Sequence, residues 1–253
     1  MNNYRRLLSL ASLAGLTSFL VLGAARPAHA MHIMEGFLPP LWAGVWWAVF
    51  LPVLIIGGRR ISQITRNHPE LKLMLALAGA FTFVLSALKI PSVTGSCSHP
   101  TGIGLGAILF GPLTMVVMGA VVLLFQALLL AHGGLTTLGA NGVSMAIVGS
   151  LAAYYIYHGV FAATKKQRLA VFFSASLSNL LTYVITSLQL ALAFPVGGFG
   201  PALLKFLGIF AITQVPLAVS EGLLTVVVWN WLQTYNRPEL EILSRGVANQ
   251  SSN

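Results

Sequence analysis

Two short stretches carry residue types that together could hold a transition-metal ion. The first is Met31-His32-Ile33-Met34-Glu35-Gly36. If the chain were cut before Met31, three nitrogens could reach one ion: the free α-amine, the His32 amide after loss of its proton, and the His32 imidazole. The second stretch is Ser96-Cys97-Ser98-His99-Pro100-Thr101-Gly102, whose His99 would supply a fourth nitrogen. Such a donor set suits a tetragonal or square-planar ion such as nickel(II) or copper(II), with cobalt(II) also accommodated, and disfavours hard ions such as magnesium. Because the amine and amide must shed protons, binding weakens as pH falls.

Spacing and topology leave a His32/His99 pair and two unconnected loop histidines both open. His68 precedes a proline in a polar stretch and reads as solvated, and His132 and His158 lie near the ends of apolar runs and read as interfacial side chains. The single cysteine, Cys97, excludes an intramolecular disulfide and any multi-cysteine metal site. Glu35 reads either as an acceptor supporting a ligating histidine or as a solvated loop carboxylate. Glu221 lies inside an apolar run, where an ionisable group is costly and marks function. The sequence names no partner for it, and a membrane enzyme would use it.

The elements that must position these groups are membrane spans. Of the 253 residues 57% are hydrophobic and only 8% charged, with a mean hydropathy of +0.84, whereas a soluble domain carries charge on roughly a quarter of its residues. Apolar runs occupy 41–57, 71–90, 103–131, 142–163, 169–194 and 202–232. The third is too long for one span and is broken by Gly111-Pro112, which predicts a short segment near 103–110 and a full span from 112 to 131. The net charge of +9 falls in Lys and Arg clusters between these runs, the pattern of membrane topology and not of a nucleic-acid interface.

Residues 1–30 combine Arg5 and Arg6, an apolar stretch from Leu7 to Ala25 and the small-residue end Ala28-His29-Ala30, which reads as a signal peptide. An uncleaved first span is the alternative. With Met31 outside, seven spans put Arg59, Arg60, Arg66, Lys72, Lys165, Lys166, Arg168, Arg237 and Arg245 at cytoplasmic ends, and six would not. The expected fold is therefore all-α: a polytopic membrane bundle of about seven transmembrane helices, one short, after a cleaved signal peptide. It spans 31–232, followed by a loosely ordered cytoplasmic tail at 233–253, in the cell inner membrane. The same topology puts His32, His99 and the loop 133–141 on the outer face. Small residues such as Ala76, Ala80 and Gly102-Ile103-Gly104-Leu105-Gly106 read as internal helix packing.

Met31-His32-Ile33-Met34-Glu35-Gly36-Phe37-Leu38-Pro39 and Gly95 to Gly102 closely resemble the CbiM/NikM family, and the wording is nearer its cobalt branch, CbiM. These are substrate-specific permease components of energy-coupling factor (ECF) transporters, a class of ABC transporter, for cobalt and nickel. Many members start with this motif at their initiator methionine, whereas here it follows a leader. The resemblance implies capture of cobalt(II), or of nickel(II), by the Met31 amine, the His32 amide and side chain, and the His99 side chain. It also implies a transmembrane coupling component, a small accessory membrane protein and cytoplasmic ATPase subunits as partners, with cobalt supplying cobalamin biosynthesis. The chain contains neither G-x-x-x-x-G-K-[ST] nor H-E-x-x-H, which argues against its own ATPase site or a metalloprotease. A transporter component without a permanent cofactor is expected, rather than an enzyme.

Overall fold

A computed structural model describes residues 32–91 and 97–248. The expected leader 1–30 and Met31 lie outside the described residues. The chain forms α1 (Pro40–Asn67), α2 (Leu71–Ala87), two-residue strands β1 (Ile90–Pro91) and β2 (Cys97–Ser98), α3 (Ile103–Phe110) and α4 (Pro112–Leu130). There follow α5 (Leu138–Thr164), α6 (Gln167–Ala193), α7 (Phe199–Tyr235) and α8 (Arg237–Ala248). Strands β1 and β2 pair antiparallel, Ile90 opposite Ser98.

Local chemistry sets the boundaries. α1 begins at Pro40, where a missing N–H costs nothing, and ends before His68-Pro69, since a residue preceding proline resists the helical conformation. The long third apolar run divides where Gly111-Pro112 predicts: Gly111 takes φ 81° and Pro112 opens α4. α5 is mostly α-helical but widens into a π-helix over Gly142–Gly149, an irregularity frequent at functional sites.

The distribution of polarity is that of a membrane bundle. Among the described residues five helices are long and apolar enough to cross a bilayer, and α2 is a shorter apolar one. Leu73, Leu77, Val84, Leu128, Leu129, Leu204 and Val227 are exposed on the rim, whereas Thr82, Gln126, Ser174, Asn179, Thr186, Gln189, Gln214 and Glu221 are buried inside. That is the arrangement hydrocarbon demands, because a polar group facing lipid would find no hydrogen-bond partner. The small residues at 102–106 serve internal packing as expected, whereas Ala76 and Ala80 are exposed, which corrects that part of the expectation. A Cβ at Gly104 would lie 3.1 Å from the Ala175 Cα, so α3 sits directly against α6.

Two larger features differ from the sequence expectation. Residues Ser98 to Gly102 do not form a superficial loop: all five are buried. They dip into the bundle, and α3 continues to the end where Leu109 and Phe110 share a cleft with Arg60, His68 and Ile242. Non-helical backbone at this depth is tolerated because protein encloses it. The second difference is the tail. α7 runs on to Tyr235 and α8 folds back on the bundle, with Leu243 buried in a cluster that includes Leu71, Leu109 and Phe110. Apolar Leu240, Ile242 and Leu243, interspersed with charge, make that segment amphipathic and give it a surface to cover.

Candidate metal centre

His99 is held by its backbone. Tyr183 of α6 donates its hydroxyl to the His99 carbonyl (3.0 Å) and accepts the His99 N–H (3.2 Å), while Gln214 of α7 donates to the same carbonyl (3.3 Å). Two residues on, the Glu221 carboxylate accepts from the Thr101 N–H (2.8 Å), the Thr101 hydroxyl (2.9 Å) and the Gly102 N–H (2.7 Å). The Asn179 amide also donates to it. Asn179 in turn accepts from Gln214. The intramembrane carboxylate that lacked a partner in the sequence is thus the anchor of the His99 loop.

Gly102 closes this loop with φ 67°, and a Cβ there would stand 2.8 Å from the Thr82 Cα. Gly102→Ala should therefore cost about 2–4 kcal/mol from left-handed strain and overpacking. The check is thermal unfolding of the purified variant, and an unchanged midpoint would remove the tight-turn argument.

His32 arrives from the opposite side. Asn141, at the start of the π-helix, accepts the Ile33 N–H (2.8 Å) and donates to the Ile33 carbonyl (3.0 Å), which also accepts the Thr137 hydroxyl (2.6 Å). The N-terminal strand of chain lies so close to the 133–137 loop that a Cβ on Gly134 would stand 2.5 Å from the Glu35 Cα. Glu35 itself is exposed and accepts the Thr136 N–H (3.1 Å), and hydrogen bonds from Thr136 hold its carboxyl below the usual carboxylate range. Of the two sequence readings the structure bears out the second: Glu35 is an exposed loop carboxylate, tied to Thr136.

The two predicted histidines meet. His32 Nδ1 lies 2.8 Å from His99 Nε2, with the rings stacked at 4.7 Å, and both side chains are buried. The Pro100 carbonyl, 2.7 Å from His99 Nδ1, can only accept, so His99 Nδ1 carries hydrogen and Nε2 presents its lone pair. His32 Nδ1 must then donate to it. A metal entering between them takes the place of that hydrogen bond, and the neutral His32 ring then carries its hydrogen on Nε2.

A third ring completes the cluster. His132 lies 4.6 Å from the His32 ring and 4.9 Å from the His99 ring, and is 2% exposed. Metal-binding nitrogens of the three lie within 4.8 Å of one another. The interfacial reading of His132 is thereby corrected. Ala131, left-handed at φ 46° and ψ 44°, ends α4 and turns the chain inward, and the His132 N–H donates to the Gln126 carbonyl. The available signal was a histidine before Gly133-Gly134, on the face that topology already shared with His32 and His99. His158 is exposed and bonds the Tyr154 carbonyl, and His68 is half-buried beside Glu70, both away from the cluster.

Burial holds all three clustered imidazoles below their ordinary pKa, His99 at about 4. They are neutral near pH 7, the form that ligates metal. Nε2 of His32 and of His132 are buried without a hydrogen-bond partner. Leaving such atoms unpaired costs about 1–3 kcal/mol each, and a bound cation would remove part of that cost.

Residues 32–240 match the family model described as the cobalt uptake substrate-specific transmembrane region, CbiM. The chain belongs to the CbiM family. It is 67% identical over 234 residues to the cobalt transport protein CbiM of Nostoc sp., covering 91% of this chain and 90% of that one. It is 62% identical to the cobalt transport protein CbiM of Moorella thermoacetica, covering 90% of each. A crystal structure of a transition metal transporter has the same fold, with a TM-score of 0.71 over 81% of this chain and 94% of the other at 23% identity. As a CbiM-family member the chain is a multi-pass membrane transport component for cobalt uptake.

Proposed function

We propose that the protein is the substrate-capture component of an ECF-type ABC importer and takes up one cobalt(II) ion through the Met31 amine, the His32 amide and imidazole, and the His99 imidazole. The 2.8 Å approach of His32 Nδ1 to His99 Nε2 carries this reading. Two nitrogens bound at about 2.0 Å to one ion stand roughly 3–4 Å apart, so the two rings are already close enough for a single ion to reach both. In this proposal the mature chain starts at Met31, after a signal peptide at 1–30.

In this reading the transmembrane unit covers 31–232, and the end carrying Arg60, His68 and α8 is assigned to the cytoplasm by the positive-inside rule. The coupling membrane protein, the small accessory membrane protein and the ATPase subunits supply the energy, and the cobalt supplies cobalamin biosynthesis. Nickel(II) by the same route is the second reading, favoured by the square-based donor set alone. Glu221 has no part in turnover, since its carboxylate is spent on the His99 loop.

N-terminal sequencing of the purified protein, followed by titration with cobalt(II), tests the proposal. A chain starting at Met31 that binds one ion per molecule is expected. A chain starting at Met1, or no cobalt bound by a chain starting at Met31, would end it.

A further inference from the structure

We infer that His132 supplies a third imidazole to the captured ion and makes the site favour cobalt(II) over nickel(II). This rests on the proposed capture site and adds a donor to it. His132 is not a bystander of a polar surface: its ring touches both His32 and His99, at 4.6 and 4.9 Å, and is tilted 58° and 68° to them. A third imidazole this close to the other two offers the ion a donor beyond the pair that already meets. Its Nε2 is buried with no hydrogen-bond partner. The ligand nitrogens, within 4.8 Å of one another, approach the roughly 4 Å that separates donors across one ion.

The backbone is arranged to hold the ring there. The left-handed Ala131 and the Gln126 carbonyl fix the start of the turn, and Gln126 is itself tied through its amide to Ser86 of α2 (2.7 Å). On the far side Gly133 leaves room for His32, whose Cβ would stand 3.4 Å from a Cβ placed at 133. Selectivity follows from coordination number. Nickel(II) with an amine, a deprotonated amide and two imidazoles is content in a square plane and gains little from a fifth donor, whereas cobalt(II) accepts it readily.

The test uses full-length processed protein, with cobalt(II) and nickel(II) titrated separately and the visible absorption of the cobalt form recorded. His132→Ala should weaken cobalt binding at least tenfold and nickel binding less than threefold, and should shift the cobalt bands from a five- toward a four-coordinate pattern. His132→Phe keeps the ring volume, should give the same result, and decides the matter if the alanine variant does not fold. Unchanged cobalt bands in a folded variant, whether affinity for both metals is kept or falls equally, would overturn the role of His132. His99→Ala separates the two claims. If it loses cobalt at least tenfold while His132 variants do not, only the present inference fails; if it too binds cobalt normally, the capture site itself is wrong.

Discussion

A chain in which cleavage after Ala30 is blocked, so that Met31 stays in peptide linkage to the leader, is expected to lose cobalt binding by a factor on the order of a thousand, because the amine donor is removed while both histidines remain. The pH profile gives an independent check. Since burial keeps the His32, His99 and His132 imidazoles neutral near pH 7, no proton need leave them when metal binds. The terminal amine, with a pKa of about 7.7–8.0, and the amide must each lose one. Affinity should then fall by up to roughly a hundredfold per unit below about pH 7. The uncleaved chain should show a much flatter profile. Equal affinity and equal slope in the two chains, measured by calorimetric titration, would remove the terminal amine from the ligand set.

Glu221→Ala should be the most damaging change in the membrane interior. It leaves the Thr101 and Gly102 N–H groups, the Thr101 hydroxyl and the Asn179 amide without their acceptor. Each buried orphan costs about 1–3 kcal/mol, and the His99 loop is released. An unfolding midpoint lower by roughly 10 °C is expected, together with at least tenfold weaker cobalt binding. Glu221→Gln should lose nearly as much, since its NH2 would face donors instead of accepting from them. If both variants kept the wild-type midpoint and affinity, the anchor would have to be sought elsewhere. If they kept binding but lost a turnover that persists without ATPase partners, the membrane-enzyme reading would return.

Much of the fold was legible in the chain. Apolar runs without charge predict spans, and Gly111-Pro112 predicts the break between α3 and α4, because proline cannot continue a helix that it can start. The tail was less legible. Leu240, Ile242 and Leu243 look polar-flanked and short, and only the surface offered by Leu71, Leu109 and Phe110 makes a helix there worthwhile. Glu221 announced itself as expensive, but its four donors come from the 97–102 loop and α6, more than 40 residues away in sequence.

The metal centre shows the same division. Residue types and the A-x-A end pointed to Met31, His32 and His99 as donors, since a free amine, an amide and imidazoles are the chemistry such a start offers. Bringing His32 within 2.8 Å of His99 required the Asn141 and Thr137 clamp on Ile33, a dipping loop held by Tyr183, Gln214 and Glu221, and the close approach allowed at Gly134. Admitting His132 required a turn at Ala131 that no local pattern demands. Donor identity is a property of side chains and can be read along the chain. Which donors share one ion depends on distances set by contacts between residues far apart in sequence, and only the folded bundle decides them.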